Sequence, residues 1–106
     1  MQFGVTKGKV MKVNLIFEGI TGVAKVVGKK VFEFDLKGHT MADLLVELIN
    51  KYGDGMKKIF WDESSKFDTS IQIVINGRDY VEIDKMTETQ LSDGDTVAFV
   101  TLLCVA

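Results

Sequence analysis

The sequence predicts a two-layer α+β domain in which a mixed sheet of about five strands packs on one main helix. Three observations lead to this prediction. Segments with alternating apolar residues stand on both sides of one segment with a helical period. An Asn-Gly pair separates two strand-like runs. The last stretch follows an Asp-Gly-Asp turn and carries no charge after Asp95, which is typical of a central strand.

Length and composition favour a single domain spanning residues 1–106, since a chain of 106 residues can bury a real core. The single cysteine, Cys104, rules out an internal disulfide, and the single histidine, His39, argues against an internal zinc site. A net charge of -2 gives no sign of a nucleic-acid partner. With no signal-peptide core and no long apolar stretch, we expect a cytoplasmic protein without membrane partner or cofactor.

The first third of the chain predicts a loose lead-in and an antiparallel hairpin. Residues 1–8 are small and polar, whereas apolar residues alternate over residues 10–17 and 31–36. Glycines between these two strands predict a broad loop. Three valines in that loop are interpreted as part of the second strand: Val23, Val26 and Val27.

The clearest helix is predicted between Thr40 and Tyr52. Thr40 is a suitable N-cap and Asp43 follows three residues later, which is close to a capping box. Gly53 is placed to end the helix in the left-handed conformation. Apolar residues at steps of three and four form one stripe for the core: Met41, Leu44, Leu45, Leu48, Ile49 and Tyr52.

The second half predicts a long connection, a hairpin and a last strand. One further helical turn is predicted around residues 56–60, and a strand over residues 71–75. Asn76-Gly77 predicts a two-residue turn with positive φ at both positions, with Tyr80 or Val81 facing inward afterwards. The last strand starts at Thr96 and is expected beside the first strand in the sheet interior.

This element order is that of the ubiquitin-like β-grasp fold, and four short motifs resemble the small sulfur carriers of the MoaD/ThiS family. The motifs are VNLIF in the first strand, TMADLL at the helix start, IQIVING at the hairpin and LSDGDTV before the last strand. Together they cover most of the chain from about residue 10. The resemblance implies a protein that works through its carboxyl end and not as an enzyme.

In that family a mobile Gly-Gly tail is adenylated by an activating enzyme and then carries sulfur as a thiocarboxylate. Val105 and Ala106 occupy the corresponding positions here. Val105 is β-branched and stiff, so we expect that Ala106 accepts neither AMP nor sulfur. Cys104 is interpreted as a small apolar strand residue, with a reactive thiol as the alternative.

The resemblance implies a protein partner, either activating-enzyme-like or like the large subunit of molybdopterin synthase. A second copy of the chain is another candidate partner for the apolar tail, residues 102–106. The alternative function is a non-catalytic β-grasp interaction or regulatory subunit without terminal chemistry. No paired acid–base or nucleophile constellation supports an enzyme. The partner-binding residues are predicted to be Phe99, Thr101, Leu102, Leu103 and Cys104.

Four other residues received a structural interpretation. Asp93 and Asp95 flank a glycine and are interpreted as turn formers, because a hard-cation site needs more oxygen ligands. His39 is interpreted as a loop or capping residue before the helix. Trp61 is expected to be partly buried at the sheet edge, with an exposed anchor for a partner as the alternative.

Overall fold

The computed structural model describes residues 10–20 and 22–101, which form one mixed sheet with helices on one face. The strands are β1 (Met11–Glu18), β2 (Val31–Leu36), β3 (Ile71–Ile75), β4 (Asp79–Val81) and β5 (Thr96–Thr101). The helices are α1 (Gly22–Val26), α2 (Met41–Tyr52) and α3 (Asp54–Phe60), with a 3₁₀ turn at Ile83–Lys85. None of the described helices is long and apolar enough to cross a membrane.

The strand order is β2-β1-β5-β3-β4, and this arrangement confirms the predicted α+β fold class. Strand β5 runs parallel to β1 and antiparallel to β3, so it occupies the centre of the sheet as predicted. The hairpin of β1 and β2 is antiparallel and pairs Met11 with Leu36 through Ile16 with Val31.

The core lies between the inner face of the sheet and α2. Leu44 and Leu48 of the helix are fully buried, as are Val13, Leu15 and Phe99 of the sheet. Burying one such side chain contributes about 1.5–3 kcal/mol relative to leaving it in water. The helical stripe is therefore the main contact between the layers, as the sequence predicts.

Helix α2 begins with the predicted cap. The Thr40 side chain accepts from the Asp43 N–H at 3.1 Å, and the Asp43 carboxylate accepts from the Thr40 N–H at 3.1 Å, which completes a capping box. Gly53 ends the helix at φ 82° as expected, but its ψ of -158° lies outside the left-handed helical region. The reason is that α3 begins at the next residue, so the chain must turn at once into a second helix.

The loop between β1 and β2 contains a helix, so the prediction of strand structure for Val23, Val26 and Val27 is wrong. Helix α1 is closed by bonds from the Val27 N–H to the Val23 carbonyl at 2.8 Å and from the Gly28 N–H to the Ala24 carbonyl at 3.0 Å. Val23 is fully buried, and Val26 and Val27 pack against the core. A spacing of three and four residues places these valines on one helical face, and this outweighs their strand propensity.

Helix α3 confirms the further helical turn predicted around residues 56–60 and is longer than predicted. Its Met56 and Phe60 are fully buried under the sheet end. Trp61 follows the helix, is half-buried, and contacts Phe67 edge-on with ring centroids 5.4 Å apart. The interpretation of Trp61 as a partly buried residue is confirmed.

The hairpin of β3 and β4 turns at Asn76-Gly77, where φ is 55° and 71°, as predicted. The Arg78 N–H donates to the Ile75 carbonyl at 3.1 Å and closes the turn. The ladder then pairs Ile75 with Asp79, so Arg78 is an additional loop residue that the two-residue prediction missed. Of the two candidates for the inward position, Val81 packs against the core while Tyr80 is 66% exposed.

Candidate functional site

The candidate site combines the carboxyl end of β5 with the outer face of the sheet, the face that no helix covers. Strand β5 ends at Thr101, which is the last described residue. Thr101 pairs with Ile71 of β3, and its neighbour Val100 pairs with Glu18 of β1. Val100 and Thr101 are therefore held by β1 and β3 and have a fixed place in the sheet.

A row of apolar side chains crosses the outer face through all five strands. Ile16 is the partner of both Val31 and Ala98, and Val74 is the partner of both Ala98 and Tyr80. Cross-strand partners lie on the same face, about 4.5–5.5 Å apart at Cβ. The outer row therefore consists of Val31, Ile16, Ala98, Val74 and Tyr80.

The two ends of the outer row are exposed and its centre is half-buried. Val31 is 62% exposed and Tyr80 is 66% exposed, whereas Ile16, Ala98 and Val74 are half-buried by their neighbours. Scattered exposed apolar residues are normal, whereas a contiguous apolar strip is a candidate surface for interaction. Tyrosine is also enriched among residues that dominate binding energies.

Polar groups border the outer row on the side where β1 begins and β2 ends. Lys12 Nζ donates to Asp35 Oδ1 at 3.0 Å, and this contact with the carboxylate raises the pKa of Lys12. Both side chains are about two-thirds exposed, so the ion pair adds little stability. Its effect is to place a polar edge beside an apolar strip, as at the rim of an interface.

The Asp-Gly-Asp turn fixes the entry of β5. Asp93 Oδ1 accepts from the Lys12 N–H at 2.7 Å, and the Gly94 N–H donates to the Lys12 carbonyl at 2.7 Å. Asp95 Oδ1 accepts from Asn76 Nδ2 at 3.0 Å, and Asn76 Oδ1 accepts from the Thr96 N–H at 2.9 Å. Both aspartates therefore serve as the turn formers predicted from the sequence.

The predicted partner-binding residues fall into three groups. Phe99 is fully buried and stacks on Phe17 at 4.7 Å, so its prediction as a partner contact is corrected. Its side chain points to the helices because the strand alternates, and the outward neighbours are Ala98 and Val100. Thr101 is half-buried at the end of β5. Three others lie outside the described residues, as do the two positions that match the family's Gly-Gly, and the roles of all five stay predictions: Leu102, Leu103, Cys104, Val105 and Ala106.

The sequence interpretation missed the outer row. Its only signal in the sequence was Ile16, an apolar residue at a position where the alternation of β1 calls for a polar one. Val31, Val74 and Tyr80 become a group only when the strand order and register are known. The sequence could therefore suggest one member of the outer row but not its continuity.

The remaining residues of interest have structural contacts. The His39 N–H donates to Asp43 Oδ2 at 3.0 Å, and the His39 carbonyl accepts from the Leu91 N–H at 2.7 Å, as expected of a capping residue. Two backbone N–H groups, those of His39 and Thr40, hold the pKa of Asp43 below its ordinary value. Within residues 10–20 and 22–101, no group of three possible metal ligands comes together.

Comparisons with known proteins place this geometry in a fold class. Neither a protein-family model nor a curated protein matches the sequence. Solved structures do match, and they include small archaeal modifier protein 1 from Methanosarcina acetivorans. That structure has 23% identity and a TM-score of 0.65, and the alignment covers 93% of this chain and all of the other.

Two further solved structures show the same arrangement. The HVO 2177 protein of Haloferax volcanii is 28% identical with a TM-score of 0.65, and the match covers 92% of this chain and 88% of that one. A putative molybdopterin converting factor, subunit 1, from Pyrococcus furiosus is 24% identical with a TM-score of 0.56. The match covers 86% of this chain and 97% of that one. The chain has the ubiquitin-like β-grasp fold, and the predicted resemblance is confirmed at the level of this fold.

Proposed function

We propose that the protein is a sulfur-carrier-like binding protein, which docks on a protein partner through the outer row and its tail and has no catalytic centre of its own. The observation that supports this proposal most directly is the unbroken outer row on a face without helices. The similarity in fold to a modifier protein and to a molybdopterin converting factor subunit points to the same class.

The outer row and the tail are close enough for one partner to contact both. Ala98, at the centre of the outer row, precedes Thr101 by three residues in the same strand. At about 3.3 Å per residue this is a separation of about 10 Å. A partner that covers the outer row therefore reaches the point from which the tail continues.

The kind of partner follows from the resemblance and is part of the proposal. An activating-enzyme-like protein would bind the outer row while the tail enters its nucleotide site. A protein like the large subunit of molybdopterin synthase would use the same two elements without ATP. In both cases the chemistry belongs to the partner, and this chain supplies a recognition surface.

The proposal is tested by measuring the affinity of the full chain for each purified candidate partner by calorimetry. Val31→Lys places a charge at one end of the outer row, whereas Val46→Lys places the same charge on the opposite side, on α2. The two valines are similarly exposed, at 62% and 55%, so the pair is well matched. We expect Val31→Lys to weaken binding by about fivefold or more, since changing an anchor residue costs above about 1 kcal/mol, which is about fivefold in Kd.

Val46→Lys should bind like the unchanged chain. Equal losses from the two variants, or none from either, would contradict the use of the outer row. Intact mass after incubation with ATP, the activating enzyme and a sulfur donor then separates two functions. A gain of AMP or sulfur indicates a carrier, and binding without any gain indicates the regulatory module that was the alternative.

A further inference from the structure

Strand β2 forms one edge of the sheet and leaves part of its backbone without a partner among the described residues. It pairs with β1 on one side, and no described strand lies on its other side. The strand at the opposite edge, β4, is three residues long, whereas β2 has six. An edge of this length presents a row of N–H and C=O groups to which a further strand can bind.

The register identifies which backbone groups of β2 are free. The Phe17 N–H donates to the Lys30 carbonyl at 2.9 Å, so Lys30 belongs to the residues that bond to β1. Bonded and unbonded residues alternate along an antiparallel pair. The residues of β2 that point their N–H and C=O groups away from β1 are therefore Val31, Glu33 and Asp35.

The side chains beside these free groups give the edge a negative charge. Glu33 and Asp35 are both exposed. Asp35 accepts from Lys12 Nζ at 3.0 Å, whereas the Glu33 side chain has no hydrogen bond or ion pair with any described residue. Opposite charges on facing strands stabilise a sheet, and like charges destabilise it. A strand that binds here is therefore favoured when it places a basic residue opposite Glu33.

The same charge disfavours a second copy of the chain at this edge. Two copies of β2 in antiparallel pairing can join all three free residues in one register only. That register places Glu33 opposite Glu33 of the other copy, with Val31 opposite Asp35 on either side. The carboxylates would repel each other at the centre of the contact, so the edge is better suited to a basic strand than to itself.

A recess lies next to this edge on the inner side, between β2 and α2. The Glu47 carboxylate accepts from the N–H groups of Lys37 and Gly38, each at 2.8 Å, and so ties the end of β2 to the helix. Lys51 Nζ lies 5.6 Å from the centre of the Phe34 ring. This ring and the alkyl chain of the lysine offer an apolar surface to a side chain of an added strand. The recess is lined by Phe34, Asp35, Lys37, Glu47, Asn50 and Lys51.

We propose that the free edge of β2 is a docking site for an extended basic segment of another protein, which adds a sixth strand antiparallel to β2. Basic side chains of the segment face Glu33 and Asp35, and the apolar side chains that alternate with them face the recess beside Phe34. The backbone bonds provide affinity and the alternating side chains provide specificity. This inference goes beyond the proposed function, because the segment binds at the sheet edge and needs neither the outer face nor the tail.

The probe is a seven-residue peptide in which valine alternates with three lysines, added to the full chain. Hydrogen exchange of the backbone amides is followed by NMR. In the antiparallel arrangement, the peptide should protect the N–H groups of the three free residues, namely Val31, Glu33 and Asp35. Their exchange should slow by about tenfold when the free peptide is at about ten times its Kd, because about one chain in eleven is then unbound.

Two N-methylated peptides test whether the backbone of the segment makes the contact. In the antiparallel arrangement the lysine residues exchange bonds with the free residues of β2, and the valine N–H groups point away. Methylation of the three lysine N–H groups should therefore abolish the protection. Methylation of three valine N–H groups is the matched control and should leave the protection in place. Neither peptide requires a variant of the protein, so this test does not depend on the folding of a mutant.

Glu33→Lys tests the charge of the edge. It should weaken binding of the lysine peptide by about fivefold and strengthen binding of a peptide in which glutamate replaces lysine. Glu63→Lys makes the same change in net charge at an exposed position in the loop after α3. This control variant should bind both peptides like the unchanged chain.

The proposal is overturned if the three amides stay unprotected at millimolar peptide, or if the two methylated peptides protect them equally. Protection that is lost on valine methylation alone would contradict the antiparallel direction. Equal effects of Glu33→Lys and Glu63→Lys would contradict recognition by the edge charge. Protection without peptide that grows with protein concentration would assign the edge to a second copy and overturn the choice of partner. None of these measurements includes an activating enzyme, so their outcome is independent of the proposed function.

Discussion

Phe99→Ala tests whether the last strand contributes its side chain at this position to the core or to a partner. Phe99 is fully buried, stacks on Phe17 at 4.7 Å and meets Phe60 edge-on at 5.1 Å. These three rings join the centre of the sheet to α3. Removing the middle ring leaves a cavity that its neighbours can fill only in part.

The expected loss is large relative to the stability of such a domain. Truncating a buried phenylalanine to alanine costs about 3–5 kcal/mol. A domain of this size is stable by about 5–15 kcal/mol, so the variant loses a substantial share. At about 4 °C or more for each kcal/mol, the unfolding temperature should fall by at least about 12 °C.

Urea unfolding followed by fluorescence is the appropriate assay, because Trp61 is the chain's single tryptophan and lies 6.1 Å from the Phe60 ring. Val100→Ala is the control, since Val100 is the next residue on β5 and is half-buried on the outer face. We expect it to cost less than about 1 kcal/mol. If Phe99→Ala costs no more than Val100→Ala but abolishes partner binding, the assignment of Phe99 to the core is refuted.

Three further predictions concern stability. Leu48→Ala should cost about 2–5 kcal/mol in urea unfolding, because Leu48 is fully buried at the centre of α2; a loss below about 1 kcal/mol would contradict the packing of α2 on the sheet. Gly77→Val should cost about 1–3 kcal/mol through backbone strain, since a Cβ there meets no atom within 4 Å, and Gly77→Asn, which tolerates positive φ, should cost clearly less. The pKa of Asp43 is lowered by two backbone N–H donors, so its stabilisation is present above the unfolded pKa and is lost as the pH falls below about 4. Asp43→Asn should therefore flatten the stability-against-pH curve measured below about pH 4.5, and an unchanged slope would show that the cap does not act through charge.

The elements in which apolar residues recur with a regular spacing were predictable from the sequence. The stripe of α2 and its Thr40 cap depend on residues near one another in the chain, and both are present as predicted. The central place of β5 was predictable because a strand with an almost unbroken apolar sequence is favoured between two neighbouring strands. Helix α1 was not predicted, because three valines in a glycine-rich loop favour a strand on propensity although their spacing is helical.

The candidate site was harder to predict because it depends on register. The outer row joins residues that are up to 82 positions apart, and only the pairing of strands brings them together. Phe99 and Ala98 are adjacent in sequence, yet one belongs to the core and the other to the outer row. A shift of one residue in register would exchange them, so the alternation alone could not assign Phe99 to the correct side.

The position of Thr101, the last described residue, relative to the outer row is set by contacts at the entry and in the middle of β5. At its entry, the Asn76 side chain holds the Asp95 carboxylate and the Thr96 N–H within 3.0 Å. At its middle, the Phe99 ring packs against the rings of Phe17 and Phe60. A strand held at these points cannot slide without breaking polar and apolar contacts together. Thr101 therefore lies at one fixed distance from the outer row, which is the condition under which the proposed partner could contact both the outer row and the chain that follows Thr101.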